Sequence, residues 1–293
     1  MQRSEEKIEA FKSVWNDLRV PVRPGPEGLE LYRQQMAAFP QKDILVLGAT
    51  PELVDMALEL GARTVVSVER DPNILEAMRR LGKNDWSQVR LLARDWLEDE
   101  ESFRGAFNCI VCDGGLLFLK HPDQWDQLFG LVASYLKPGG VFVAKEWAEP
   151  VSGLNYESTK EALIEAFVAS AETDSEAVRE EAFLFLASEL RVAIFFGATL
   201  ADGSFDQQLL VQRCDRLIEE MAQRFPEKGK CRVIHAAFRY LARSRPGSTD
   251  TIAGVTYDGA AKLLAHHGFC SENFPLPDAP VHGGNYMFVA RKK

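Results

Sequence analysis

The chain is poor in cysteine and histidine, with five of each in 293 residues. The cysteines are odd in number, scattered and mostly inside apolar segments, which speaks against a disulfide framework and for a reducing compartment. Cys109 and Cys112 form a C-x-x-C in a run of strand character. Residues three apart in a strand face opposite sides, so neither a redox pair nor a metal clip is expected there. The histidines are isolated except for His266-His267, which close a helical pattern before Gly268. Cations at that place complement the helix dipole, and no metal-ligand spacing accompanies them. Long apolar runs are missing too: nothing approaches the roughly 20 residues of a membrane span. Met1 to Ala10 is polar and acidic and lacks a signal-peptide core. A cytoplasmic location is therefore expected. There is no basic excess either. Lys and Arg number 34 against 43 Asp and Glu, a net charge of -9, which argues against nucleic acid as a partner.

What is present is an ordinary globular composition, 46% apolar, with one informative stretch. Asp43 to Leu47 is an apolar run of strand length that stops at Gly48. Ala49, Thr50, Pro51 and Glu52 follow, then a helical pattern carried by Leu53, Met56, Ala57 and Leu60. A second apolar run from Thr64 ends in Glu69. This is a βαβ unit with glycine at the first turn and an acid closing the second strand, the layout of a nucleoside-binding half-sheet. A carboxylate there accepts two hydrogen bonds from adjacent ribose hydroxyls. A dinucleotide site would need two further glycines for the backbone to approach a pyrophosphate. Thr50 and Glu52 stand in those places. Thr50 suits the helix N-cap and Pro51 the first helical position. Glu52 adds negative charge where a pyrophosphate would lie and suits a nucleoside with a cationic tail.

Along the chain, helical spacing is expected over 5–18 and 27–38, joined by a proline-rich connector from Arg19 to Pro26. These two helices are expected across the C-terminal edge of the first strand. Strands are predicted at 43–48, 64–69, 88–93, 107–112 and 140–146, alternating with helices at 51–61, 72–81 and 122–136. Such alternation implies a parallel sheet with helices on both faces. Lys137-Pro138-Gly139-Gly140 reads as a helix stop and turn. From 150 to about 250 the pattern is helical only, and alternation resumes with a helix at 257–267 and strands near 269–275 and 286–291. Three regions follow: N-terminal helices (1–40), a core (41–149 with 251–293) and a helical insertion (150–250) placed to act as a lid over the substrate.

With these residues in hand, the chain resembles the class I methyltransferases that use S-adenosylmethionine (SAM). Leu45 to Thr50 resembles the family's first motif and Val65 to Pro72 the second, with Glu69 as the ribose acid. Ala93-Arg94-Asp95-Trp96 matches the third, where an acid and the next backbone N–H meet adenine. Phe107 to Gly114 matches the fourth, and Leu136 to Gly140 the turn before the fifth strand. The resemblance covers roughly 41–147 and 255–293. It implies a Rossmann-like α/β fold, a seven-stranded, mostly parallel sheet in the order 3-2-1-4-5-7-6 with the last strand antiparallel. It also implies SAM as cofactor, held by Gly48, Ala49, Thr50, Glu69, Arg70, Asp95, Trp96, Asp113 and Tyr32. The departure is the reduced glycine motif, which leaves the methionine end to Thr50, backbone groups and the region from Arg23 to Tyr32.

Methyl transfer from an activated sulfonium is an in-line displacement, so alignment and exclusion of water matter more than a dedicated motif. Asp113 and Glu146, at the ends of the fourth and fifth strands, are the candidates for a base toward the acceptor; the alternative for Asp113 is a turn cap, and Trp147 reads as packing. The expectation is a methyltransferase acting on a small-molecule acceptor, without a metal or a membrane partner; a homodimer is compatible with the sequence. One alternative is a non-catalytic SAM-binding sensor or scaffold. Another is an aminopropyl transferase, whose clustered acids after the fourth strand are not evident between Gly114 and Leu119.

Overall fold

The computed structural model describes residues 2–20, 22–48, 50–147, 156–171, 206–224, 255–276 and 285–293, with positions 184, 186, 188–190, 192 and 194 between them. Ala49 and most of the expected insertion lie outside the described residues.

Helices α1 (Gln2–Asp17) and α2 (Pro26–Ala37) precede β1 (Asp43–Leu47). Then come α3 (Pro51–Glu59), β2 (Thr64–Glu69), α4 (Pro72–Leu81) and β3 (Arg90–Ala93). β4 (Phe107–Asp113), α5 (Asp123–Tyr135) and β5 (Leu136–Trp147) complete the first half. α6 (Tyr156–Ala171) and α7 (Gln207–Arg224) lie between β5 and the last helix, within the stretch expected as an insertion. α8 (Tyr257–His266), β6 (Phe269–Pro275) and β7 (Asn285–Lys292) close the chain.

The strands form one seven-stranded sheet in the order β3-β2-β1-β4-β5-β7-β6. β1 to β5 pair in parallel, and β7 runs antiparallel to both β5 and β6, as expected. β1 is buried at every residue, which a parallel strand covered on both faces requires. One face of the sheet packs Leu45, Ile110, Phe142 and Phe288 against α5 and α8. The other packs Ile44, Val111, Val143 and Val289 against α2, α3 and α4. Cys109 lies in the second cluster and Cys112 in the first; the strand separates them, as its period demands.

Local chemistry explains the helix starts. Pro51 and Pro72 both stand at the first turn, where a missing N–H costs nothing. Asp71 caps α4 by accepting the Asn73 N–H at 2.8 Å. Thr50 occupies the cap position of α3 but its side chain makes no capping bond.

One expectation is corrected. Lys137 to Gly140 is not a turn ahead of β5 but an irregularity within it. Phe107 pairs with Leu136 and Cys109 with Val141, so extra residues bulge out opposite Asn108, and Gly139 takes a positive φ of 71°. The C-terminal part of α1 reaches the start of α3, just past β1, where the Trp15 indole N–H donates to Glu52 at 3.3 Å. The rest of α1 lies along α4, with Ser4 bonded to Asn73 at 2.6 Å. Val14, Trp15 and Leu18 form their own small cluster, with Leu81 against it. The opposite ends of the strands are tied by Asp43, whose carboxylate meets Arg63 at 2.6 Å and Lys137 at 2.5 Å.

Candidate functional site

Because β1 to β5 are parallel, their C-terminal ends share one rim, and Gly48, Glu69, Asp95, Asp113 and Glu146 all fall on it or within two residues past it. Gly48 follows β1 with φ of 102°, a backbone state that side chains resist. Its N–H bonds Val68 O at 2.9 Å, extending the ladder past β1. The Trp96 indole lies against this turn. A Cβ on Gly48 would come within 3.1 Å of the ring, and one on Gly115 within 2.4 Å. The indole N–H donates to Val68 O at 2.9 Å. Sequence reading assigned Trp96 a backbone role only. Its side chain joins the turns after β1 and β4, a contact that glycine at both positions permits.

Glu69 ends β2 and is half-buried. Oε1 accepts the Asp71 N–H at 3.1 Å. Burial raises its pKa, against the lowering effect of the Asp71 and Arg70 amides. Arg70 beside it is exposed. Asp95 accepts the Leu97 N–H at 2.9 Å, closing the turn after β3.

A second group of charges surrounds the end of β4. Asp113 and Lys145 meet at 3.2 Å, each side chain 1% exposed. Tyr32, fully buried on α2, donates its hydroxyl to Cys112 O at 2.6 Å and lies 3.3 Å from Asp113 Oδ1. The Tyr32 hydroxyl oxygen in turn accepts the Lys145 backbone N–H at 3.1 Å. Tyr32 thus ties α2 to the ends of β4 and β5, and its hydroxyl is committed there. Burial raises the Asp113 pKa although Lys145 pulls it down, and Glu52 adds to the rise. Glu146 is buried on the other face of β5 and accepts the Leu116 N–H at 3.1 Å. Burial holds its carboxyl well above the usual range, and the Asp113 charge works in the same direction.

Glu52, at the start of α3, pairs with Arg23 from the connector between α1 and α2. It also accepts the Trp15 indole N–H at 3.3 Å. Arg23 lies 5.5 Å from the centroid of the Trp15 ring. The negative charge expected at this helix start is therefore matched by a cation that sequence reading did not pair with it. Exclusion of a pyrophosphate then falls mainly to the missing glycines. Three buried carboxylate oxygens around the rim have no hydrogen-bond partner: Glu52 Oε2, Asp113 Oδ2 and Glu146 Oε2. Unpartnered buried acceptors are costly. Those of Glu52 and Asp113 suit a ligand that brings a cation or donors, as the α-ammonium of an amino acid would.

The described residues between β5 and α8 are tied to the connector after α1 and to one another. Ser188, 1% exposed, accepts the Arg19 N–H at 2.7 Å through its hydroxyl. Lys160 of α6 meets Glu220 of α7 at 2.8 Å, and Arg224 meets Glu161 at 3.1 Å. Among the described residues, no helix is long and apolar enough to cross a membrane.

No protein-family model matches the chain, and no curated protein matches it. Solved structures do. The N-methyltransferase NodS of Bradyrhizobium japonicum WM9, in complex with S-adenosyl-L-homocysteine, aligns over 97% of this chain and 96% of its own, with 11% identity and a TM-score of 0.51. A SAM-dependent methyltransferase of Mesorhizobium loti aligns over 91% and 96%, with 13% identity and a TM-score of 0.50. A Rhodobacter sphaeroides protein described provisionally as a Zn-dependent alcohol dehydrogenase aligns over 98% of both chains, with 18% identity and a TM-score of 0.55. Such identities establish architecture and not activity. With its strand order and antiparallel β7, the chain has the class I methyltransferase fold.

Proposed function

We propose that the protein is a SAM-dependent methyltransferase acting on a small-molecule acceptor. The observation that carries this reading is the placement of Glu69, a half-buried carboxylate closing β2 beside the positive-φ turn at Gly48. In this fold that position faces the ribose of a bound nucleoside. The remaining groups fit the rest of SAM. Asp95 and the Trp96 backbone stand at the end of β3 for the adenine. Gly48 and Thr50 offer backbone at the turn, and Ala49 and Arg70 belong to the same two loops. Arg23, Glu52 and Asp113 bring a cation and two unsatisfied carboxylate oxygens to the amino-acid end. Tyr32 holds Asp113 and Lys145 in place from behind.

SAM would supply an electrophilic methyl group on sulfur, so the work left to the chain is to orient the acceptor and exclude water. Glu146 is the group best placed to hold a proton there. Its carboxyl is neutral well above the usual range, and one oxygen has no partner. The net charge of -9 disfavours a nucleic-acid acceptor. The insertion, anchored at Ser188 to the connector that carries Arg23, is suited to cover the acceptor as a lid.

A second reading draws on a specific feature. One oxygen of Asp113 is tied to Lys145 and one of Glu146 to the Leu116 N–H, so each carboxylate already serves the fold without any catalytic task. A SAM-binding sensor or scaffold would need none. Calorimetry with SAM, then incubation with methyl-labelled SAM and a pool of small-molecule acceptors, separates the two. Binding with label transfer supports the enzyme. Binding without transfer to any acceptor class supports the sensor, and no binding removes both.

A further inference from the structure

Away from the rim, α5 and α8 bring three metal-ligating side chains to one point. Asp126 stands in the first turn of α5. His266 is the last residue of α8 and His267 its C-cap. Asp126 Oδ1 lies 3.3 Å from His266 Nδ1 and 2.9 Å from His267 Nε2. The three donor atoms all lie within 4.8 Å of one another. The imidazoles are tilted by 57° with centroids 4.9 Å apart, so they are not stacked. Both turn a nitrogen to the same carboxylate oxygen.

Two of the three spacings are compatible with the edges of a coordination polyhedron. Zinc bonds to nitrogen and oxygen of about 2.0–2.1 Å place tetrahedral ligand atoms roughly 3.3 Å apart. Two of the three ligand–ligand edges already lie at 2.9 and 3.3 Å. Two further features prepare the place. Gly130 sits inside α5, where glycine is an unfavourable helix residue. A Cβ there would come within 3.2 Å of the His267 ring, so its absence gives that ring its position. Gly268, at a φ of 80°, ends α8 directly behind His267, and the C-terminal end of a helix favours a cation. Exposure runs from 20% for His267 through 40% for Asp126 to 72% for His266. An ion is thus reachable from solvent, with room for water as a fourth ligand.

We propose that Asp126, His266 and His267 form a binding site for a first-row divalent cation of the zinc type. Two imidazoles and one carboxylate select Zn²⁺, Co²⁺, Ni²⁺ or Cu²⁺ over Mg²⁺ and Ca²⁺, which prefer oxygen alone. The ion staples α5 to α8, elements 140 residues apart at this contact. Because the ligands converge only in the folded chain, the ion stabilises it by mass action. The inference is independent of the proposed activity.

The test uses the full chain, stripped with chelator, titrated with Zn²⁺ and separately with Co²⁺. Saturable binding of one ion, a rise in Tm, and the visible ligand-field absorption of four-coordinate cobalt are expected. His266→Ala removes an exposed ligand without disturbing the core. It and Asp126→Asn should each weaken Zn²⁺ by more than the roughly 10- to 100-fold that loss of an outer-shell partner costs. Cys270, an exposed thiol nearby in sequence, is the control, and Cys270→Ser should bind as the parent does. The proposal is overturned by the absence of saturable binding below the millimolar range. Affinity unchanged in His266→Ala and Asp126→Asn, or lost in Cys270→Ser, overturns it equally.

Discussion

Lys145 Nζ lies 3.2 Å from a carboxylate oxygen of Asp113, and both side chains are 1% exposed. This ion pair sits between β4 and β5, where the rim and the core meet. Breaking a buried pair from one side leaves an uncompensated charge, at a cost of about 3–5 kcal/mol. Lys145→Met is expected to lower stability by that amount at neutral pH. The deficit should shrink as pH falls, because Asp113, already raised by burial, then takes a proton. Lys145→Met with Asp113→Leu should recover most of the loss. Urea unfolding of the three chains measures this, and a single variant as stable as the parent would show that the pair contributes little.

Trp96 and Gly115 give a packing prediction. A methyl group on Gly115 would approach the indole to 2.4 Å and Cys112 Sγ to 2.9 Å. Overpacking of this kind costs about 1–3 kcal/mol. Gly115→Ala should therefore lower the unfolding midpoint and displace the indole from the Gly48 turn, weakening SAM as well. Stability and affinity both unchanged would mean that the Trp96 wall is not rigid.

Asp43 sets part of the acid limit. Burial works to raise its pKa, but the bonds to Arg63 and Lys137 override it and hold the carboxyl at about 2, against 3.8 in the absence of partners. A depressed carboxylate contributes stability that is present above its unfolded pKa and lost as pH falls through the folded one. Arg63 is exposed, so screening reduces the contribution to roughly 1–2 kcal/mol. Asp43→Asn should be less stable than the parent at pH 7, with the gap closing between about pH 4 and pH 2. A gap independent of pH would remove the ion pairs as its cause.

The insertion gives a fourth expectation. If it covers the acceptor, hydrogen exchange within 156–171 and 206–224 should slow when SAM and an acceptor are both bound. Slowing confined to the sheet would instead mark the insertion as a partner or dimer surface.

Much of this architecture was legible because its signals are local. The apolar run ending at Gly48, the acid closing β2, and proline at the first turns of α3 and α4 each declare themselves within a few residues. The C-x-x-C puts its two cysteines on opposite faces of one strand, which the strand period alone dictates. What the sequence hid is non-local. Nothing near Glu52 marks Arg23 as its partner, since the pairing depends on how the connector folds back over α3. Tyr32 meets Lys145 only because α2 crosses the strand ends. Asp126 and the histidines share no spacing, being joined by helix packing alone. Lys137 to Gly140 carries a turn's composition, but sheet pairing on both sides of it converts the turn into a bulge. Trp96 was read for its backbone because a motif does not show which way an indole lies.

Glu69 carries the central claim, and nucleoside binding by the parent chain and by Glu69→Ala is its most direct measurement. Truncation removes a charge-assisted contact to the ribose worth on the order of 2–3 kcal/mol. Calorimetry should therefore show affinity for SAM and S-adenosylhomocysteine roughly 30- to 150-fold weaker in the variant, with the melting curve of the ligand-free protein little changed. NAD and NADP should give no thermal shift with either chain, since the turn after Gly48 lacks the glycines that admit a pyrophosphate. Equal affinity of the two chains for SAM would take Glu69 out of the site. A clear shift with a nicotinamide cofactor, and none with the sulfur nucleosides, would contradict the account as a whole.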